Sequence, residues 1–392
     1  MATRKPKIKI PLFDLKLSAA AKREVADTLN SGWLTTGPKT AALEKSVAAY
    51  LKAKYAVAVN SGTAGLQLLL TAIGAGPGRE IVTSPFTFVA TAEAILATGA
   101  TAVMADIDPD TLNIDPAAVD RQIGANTLAV MPVDIAGLTA EYESLRKICD
   151  RHNLPLIADS AHSINALYRG KSVAKWADAA VLSFYSTKNL TCGEGGMVVS
   201  QHKMVIDQVR SLANHGLTSN AFGRKQKGGW KYDALRPGFK ANLSDVHAAI
   251  GLGQMTQLEK HFRSRQKIAA RYLKGLADLT DYLDLPVEPK NSRHGWHLYI
   301  IRLVLDRLKC DRDKFIRLMA RRGVECGVHY QPLFSLGYYR RHLGMNPASL
   351  PHTEYAGRRV VSLPFYPELR NAEVDFVCEA VREIVLRELK KR

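Results

Sequence analysis

The chain is poor in the residues that build cross-links and metal cages. Its five cysteines, Cys149, Cys192, Cys310, Cys326 and Cys378, are scattered, odd in number and never paired as C-x-x-C. This argues against a disulfide framework or a zinc site and for a reducing, cytoplasmic setting. The histidines form no H-E-x-x-H pattern, and no metal is expected. No G-x-G-x-x-G follows the first strand candidate and no G-x-x-x-x-G-K-[ST] occurs, so the usual nicotinamide and P-loop signatures are missing. No apolar run is long enough to cross a bilayer. The N-terminus, M-A-T-R-K-P-K-I-K-I-P, has basic residues but no apolar stretch of signal length behind them. Neither membrane association nor export is expected.

Negative charge is also in deficit. Lys and Arg number 54 against 37 Asp and Glu, a net charge of +17. The surplus is spread along the chain, with modest concentrations near 1–9, 224–231 and 386–392. There is no helix-turn-helix, zinc-finger or RNA-binding signature, so a nucleic-acid partner is not expected. Solubility alone accounts for such a charge, and so does attraction of an anionic small molecule such as a phosphorylated substrate.

What is present is a regular alternation. Short β-rich apolar runs fall at 55–59, 80–84, 101–106, 128–133, 154–158, 179–183 and 196–200. Helical patterns at 63–73, 88–97 and 140–152 lie between several of them. Strand–helix alternation predicts an α/β fold with a mainly parallel sheet. A helix over 244–275, with Ser244 as N-cap, leads into a second part of the chain. That part has a strand candidate at 298–305 and helices near 311–322 and 371–390. With 392 residues, two domains are expected, divided at 1–260 and 261–392.

Three chemistry-bearing stretches follow strand candidates: N-S-G-T-A-G-L after 55–59, D-S-A-H-S after 154–158, and S-F-Y-S-T-K-N-L-T-C-G-E-G-G from 183. In open α/β sheets ligands sit at the carboxyl ends of strands, so the three are expected to converge. Ser61, Gly62 and Thr63 stand where a strand turns into a helix. Backbone N–H groups and the helix dipole favour a phosphate there, and a simple helix cap is the other reading. Asp159 ends an apolar run and needs a cationic partner; a protonated pyridine nitrogen suits it, as does an ordinary ion pair. His162 lies three residues on, beside the same ring or in a structural role. Phe88 begins a helix and can stack on a planar ring or serve the core. Lys188 supplies an amine able to form a Schiff base, and Ser183 a further hydroxyl. Together these are the parts required to hold pyridoxal 5′-phosphate.

The same blocks resemble the DegT/DnrJ/EryC1/StrS sugar aminotransferases through nearly the whole chain. The similarity runs through S-G-W-L-T-T-G-P (31–38), A-V-N-S-G-T-A-G-L (58–66), P-F-T-F-V-A-T (85–91), A-D-S-A-H-S (158–163) and S-F-Y-S-T-K-N-L-T-C-G-E-G-G (183–196). It continues in G-F-K-A-N-L-S-D-V-H-A-A-I (238–250), H-Y-Q-P-L (329–333) and S-L-P-F-Y-P (362–367). The resemblance implies fold type I of the pyridoxal-phosphate transferases, a large domain with a mainly parallel mixed sheet and a smaller C-terminal α+β domain. It implies Lys188 as the Schiff-base lysine and Asp159 as partner of the ring nitrogen. His162 would lie beside the phenolic oxygen and Phe88 over the ring, with Gly62, Thr63 and Ser183 at the phosphate. It implies a homodimer in which the G-F-K-A-N segment reaches the partner's site through Lys240 or Asn242. Segment 1–40 with Thr36, and His329 and Tyr330, would face the substrate.

Within the family, D-S-A-H-S and K-N-L-T-C-G-E-G-G look most like enzymes that aminate C4 of nucleotide-diphosphate-linked keto-sugars, with glutamate as donor and 2-oxoglutarate as product. A C3-keto-sugar or cyclic-ketone acceptor is the nearest alternative, and a non-catalytic regulatory protein on the same fold a more distant one. Two positions depart from the family pattern. Asp134 stands where many members have His, and Lys240 where an Asn is usual.

Overall fold

The computed structural model describes residues 9–226 and 229–390, so parts of the three basic stretches lie outside the described residues. Among the described residues, seven strands form the main sheet of the first part of the chain: β1 (Tyr55–Val59), β2 (Glu80–Thr83), β3 (Thr101–Met104), β4 (Thr127–Met131), β5 (Ile157–Asp159), β6 (Ala179–Ser183) and β7 (Gly196–Ser200). They lie side by side in the order β3-β2-β4-β5-β6-β7-β1, with β4 and β5 joined by parallel bridges at Val130–Leu156 and Val133–Asp159. Only β7 runs against the others, so the sheet is mainly parallel, as its alternation with helices predicts.

Strand residues divide by parity between two apolar layers. Ala56, Ala58, Ala180, Leu182, Met197 and Val199 face helices α2 (Pro38–Leu51) and α5 (Tyr142–His152). Val57, Val59, Ala179, Val181 and Val198 face α3 (Gly62–Ala72), α4 (Val89–Leu96) and α6 (Lys203–Leu212). Both faces are covered, which is why the strands read as unbroken apolar runs. β1 lies at the sheet's margin. Its outward Ala58 N–H donates to Glu44 Oε1 at 2.9 Å, and Ala56 C=O accepts from Arg210 at 2.8 Å. Glu44 and Arg210 are themselves joined by two 2.9 Å hydrogen bonds, and Asn60 N–H donates to Ala241 C=O.

The second part has its own apolar core, including Phe262, Tyr272, Tyr299, Phe315, Val377 and Val381. Strands β8 (Tyr299–Leu303) and β9 (Val360–Leu363) pair antiparallel, flanked by the short strand Leu283–Asp284. The expected 244–275 helix is two helices, α7 (Asp245–Met255) and α8 (Leu258–Leu276). At the break Thr256 Oγ1 donates to Gly253 C=O at 2.7 Å, a side-chain bond that competes with the helical ladder. α9 (Arg312–Arg321) and α10 (Asn371–Arg387) complete this part. α10 buries Val374, Val377, Val381, Ile384 and Val385 as its spacing predicts, whereas Leu389 lies beyond its end. Ile10, from the N-terminal segment, also packs here. Before α2 comes α1 (Ala19–Ser31), which packs mainly against α7.

Candidate active site

A cavity of about 570 Å³ opens at the carboxyl ends of β1, β2, β5 and β6. All three chemistry-bearing stretches meet there. Ser61 caps α3, its Oγ accepting from Ala64 N at 3.0 Å, so the cap and the anion-binding readings share one place. Gly62 is the first residue of α3, and a Cβ on it would stand 3.0 Å from Ser183 Cβ. The glycine thus lets the helix start approach the end of β6, with Thr63 and Ser183 also lining the cavity. Backbone donors, hydroxyls and the helix dipole make this end suited to a phosphate.

Asp159 closes β5 and is 5% exposed. Thr91 Oγ1, from α4, donates to its Oδ2 at 2.8 Å, and Ala161 N–H donates to Oδ1 at 3.2 Å. Thr87 Oγ1 lies 2.7 Å from Thr91 Oγ1 and extends the chain of hydroxyls. Burial pushes the Asp159 carboxyl above its usual range, and the Thr91 bond opposes that shift. Among the described residues it has hydrogen-bond donors but no ion-paired Lys or Arg, which leaves it short of a cation.

Lys188 opens onto the cavity and makes no side-chain hydrogen bond among the described residues. Loss of water lowers its ammonium to about 8, with the Asp159 charge acting in the opposite direction. About a tenth of the amine is therefore free at pH 7, far more than an ordinary lysine offers, and a Schiff-base nucleophile must be free.

Across the cavity stand His162, His329 and Tyr330. Tyr330 Oη and His162 Nε2 are 3.0 Å apart, and His329 Nδ1 lies 2.8 Å from Ser362 Oγ. Burial lowers both histidines, His329 to about 4, so both are neutral. His162 Nδ1 is buried without a partner, and the His162 ring centroid lies 4.4 Å from that of His297. Phe88 is 55% exposed and lines the cavity 5.8 Å from the Tyr330 ring, which decides against the core reading of this aromatic.

Three expected residues are not brought into this cavity within one chain. Thr36, Lys240 and Asn242 line a separate one of about 600 Å³ beside the margin of β1. There Thr36 Oγ1 donates to Leu243 C=O at 2.6 Å and accepts from Asn242 Nδ2. Asp134 is also outside the cleft: it is fully buried behind the D-S-A-H-S turn. Residues the sequence reading passed over include Thr87, Thr91, Tyr185, Thr187 and Glu194, all on the cavity wall. A threonine inside a helix or loop carries no local signal; only the fold brings Thr91 to Asp159.

The residues present fit pyridoxal 5′-phosphate. A glycine-bearing helix start, a buried carboxylate lacking a cation, an orphaned His162 nitrogen and an amine of depressed pKa share one cleft. Comparison with known proteins agrees. Spore coat polysaccharide biosynthesis protein SpsC of Bacillus subtilis is 39% identical over 93% of this chain and 94% of its own. The PLP-form of Spr1654 from Streptococcus pneumoniae superposes with a TM-score of 0.89 at 29% identity, covering 99% of this chain and 100% of that one. Helicobacter pylori PseC, an aminotransferase involved in the biosynthesis of pseudaminic acid, gives 0.88 at 28% identity over 98% and 100%. The sequence model of one family spans residues 16–382, and the chain belongs to that family, the DegT/DnrJ/EryC1/StrS aminotransferases, PLP-dependent enzymes that aminate sugars.

Proposed function

We propose that the enzyme moves an amino group from glutamate to the C4 ketone of a nucleotide-diphosphate-linked keto-deoxysugar. One observation carries the reading: Lys188, Asp159 and the start of α3 face a single cleft in a chain of this family. The names of SpsC and PseC, which place those proteins in polysaccharide and pseudaminic acid biosynthesis, support a sugar of a surface glycan as acceptor.

Bound pyridoxal phosphate supplies an aldehyde for the amine and a ring that accepts electrons. The chain's residues do the rest. Lys188 Nζ takes the proton from the donor's Cα and returns one to the sugar carbon in the reverse half-reaction. Asp159 holds the proton on the ring nitrogen through a charge-assisted hydrogen bond. Gly62, Thr63 and Ser183, with the Ser61 backbone, hold the phosphate, and His162 with Tyr330 orients the ring's oxygen. Phe88 covers one face. Lys240 and Asn242 serve the cleft of a second copy, so the working unit is a homodimer. Thr36, tied to Asn242, belongs with that shared edge, while His329 and Tyr330 face the incoming sugar.

The test takes the two half-reactions separately. Glutamate alone should bleach the visible band of the holoenzyme and release 2-oxoglutarate. A 4-keto nucleotide sugar should restore the band and yield a C4 amine by mass and NMR. Bleaching by glutamate with amination at C3, or of a cyclic ketone, would overturn the acceptor and keep the transaminase.

A further inference from the structure

The D-S-A-H-S turn has two sides. Asp159, Ala161 and His162 line the cleft, while Ser160 and Ser163 turn the other way. Both serine hydroxyls donate to one oxygen, Asp134 Oδ2, at 2.9 and 2.6 Å. The other oxygen, Oδ1, accepts from Ala140 N–H and Tyr142 Oη, each at 2.9 Å. The backbones are tied as well: Asp134 N–H donates to Asp159 C=O, and Asp159 N–H to Pro132 C=O. Asp134 and Ser160 are both 0% exposed.

A carboxylate buried this deeply without a cation is costly, and burial raises Asp134 to about 6 against the pull of its four donors. A structure that needed only packing would be served by an apolar residue. What the carboxylate does is draw two side chains of the turn, three residues apart, to one point. Ser160 and Ser163 flank Ala161 and His162, so anchoring both leaves the residues between them, and Asp159 before them, on the cleft side.

We propose that Asp134 is a positioning residue, a brace that fixes which side chains of residues 159–163 face the cofactor. The inference rests on the reading that Asp159 and His162 meet the cofactor ring. Asp134 itself touches neither cofactor nor substrate.

The test uses cofactor-free enzyme titrated with pyridoxal phosphate, read as apparent Kd, together with the pH midpoint of the bound visible band. Thermal unfolding of the cofactor-free protein serves as the measure of fold. In Ser160→Ala/Ser163→Ala, the brace loses its grip on the turn while keeping Tyr142 and Ala140. The Kd should weaken at least about tenfold and the band's midpoint should move. Asp134→Asn can keep all four contacts, its oxygen accepting as before and its amide donating to the two serine oxygens. Its Kd should stay within about threefold of wild type, whereas that of Asp134→Ala should not. Ser163→Ala alone gives the same readout, with a smaller shift, should the double variant fail to fold.

A serine pair variant that melts earlier yet binds cofactor with wild-type Kd and midpoint would overturn the proposal, leaving Asp134 a fold residue. Asp159→Asn separates the two layers of the argument. If it moves the band and the serine variants do not, only the brace falls. If Asp159→Asn itself leaves the band unmoved, the reading beneath the brace falls with it.

Discussion

Lys188 and Asp159 are pushed toward neutrality by the same cause, loss of water, and in the proposed function the bound cofactor would supply the cation that Asp159 lacks. With the Lys188 amine lowered to about 8, its free form grows as pH rises through that value. The rate at which cofactor-free protein captures pyridoxal phosphate should climb with pH, turn over near 8 and level off above. Stopped-flow absorbance with a midpoint near that of free lysine would refute it. Lys188→Ala should abolish turnover in both half-reactions while still binding the cofactor through its phosphate. Asp159→Asn should cut turnover by on the order of 10², because it removes charge stabilisation at the reacting centre. Steady-state kinetics decides, and a near-normal rate would make Asp159 structural. These two residues were legible because each ends or follows an apolar strand run, where a charged side chain has few bland explanations. Asp134 was visible only as a departure from a pattern. Its four partners come from 140, 142, 160 and 163, and no sequence period reveals that they share one point.

Helix α2 owes its start to a residue more than 200 positions away. Asp245, fully buried, accepts from Gly37 N–H at 2.8 Å, Lys39 N–H at 3.1 Å, and Thr40 N–H and Oγ1 at 2.9 and 2.6 Å. It therefore caps α2 from the first turn of α7, while Ser244 caps α7 itself. Asp245→Ala would strand several buried donors and should cost on the order of 3 kcal/mol, measured by urea unfolding. Strands β1 to β8 and helices α3, α4 and α10 were readable from the sequence, since apolar runs or helical spacing mark them, whereas β9 was not. Neither α1 nor α2 was: α1 has a local Ser18 cap that went unread, whereas the acceptor that starts α2 is supplied by tertiary contact rather than by a neighbouring cap. The break between α7 and α8 was hidden as well: it falls at Thr256–Gln257, where no proline stands, and the nearby Gly251 and Gly253 lie within α7 itself.

For the molecule as a whole, the excess of positive charge should draw the anionic sugar nucleotide of the proposed function toward the cleft. Raising the salt from about 0.05 to 0.5 M should then increase KM for the sugar several-fold with little change in kcat, since screening acts on encounter. The mainly parallel sheet was legible because both faces are apolar; the placement of Lys240 and Asn242 beside β1 was not, for it depends on how the 214–242 excursion folds back. That margin has a consequence of its own. A sheet's outermost strand normally offers its free backbone groups to any passing chain. Here a glutamate and an arginine, joined to each other, occupy the donor and acceptor that a neighbouring strand would claim. The ion pair acts as a counterfeit strand one residue wide, sealing the border against foreign β-segments, and an enzyme stripped of Arg210 should be the first to clump on warming.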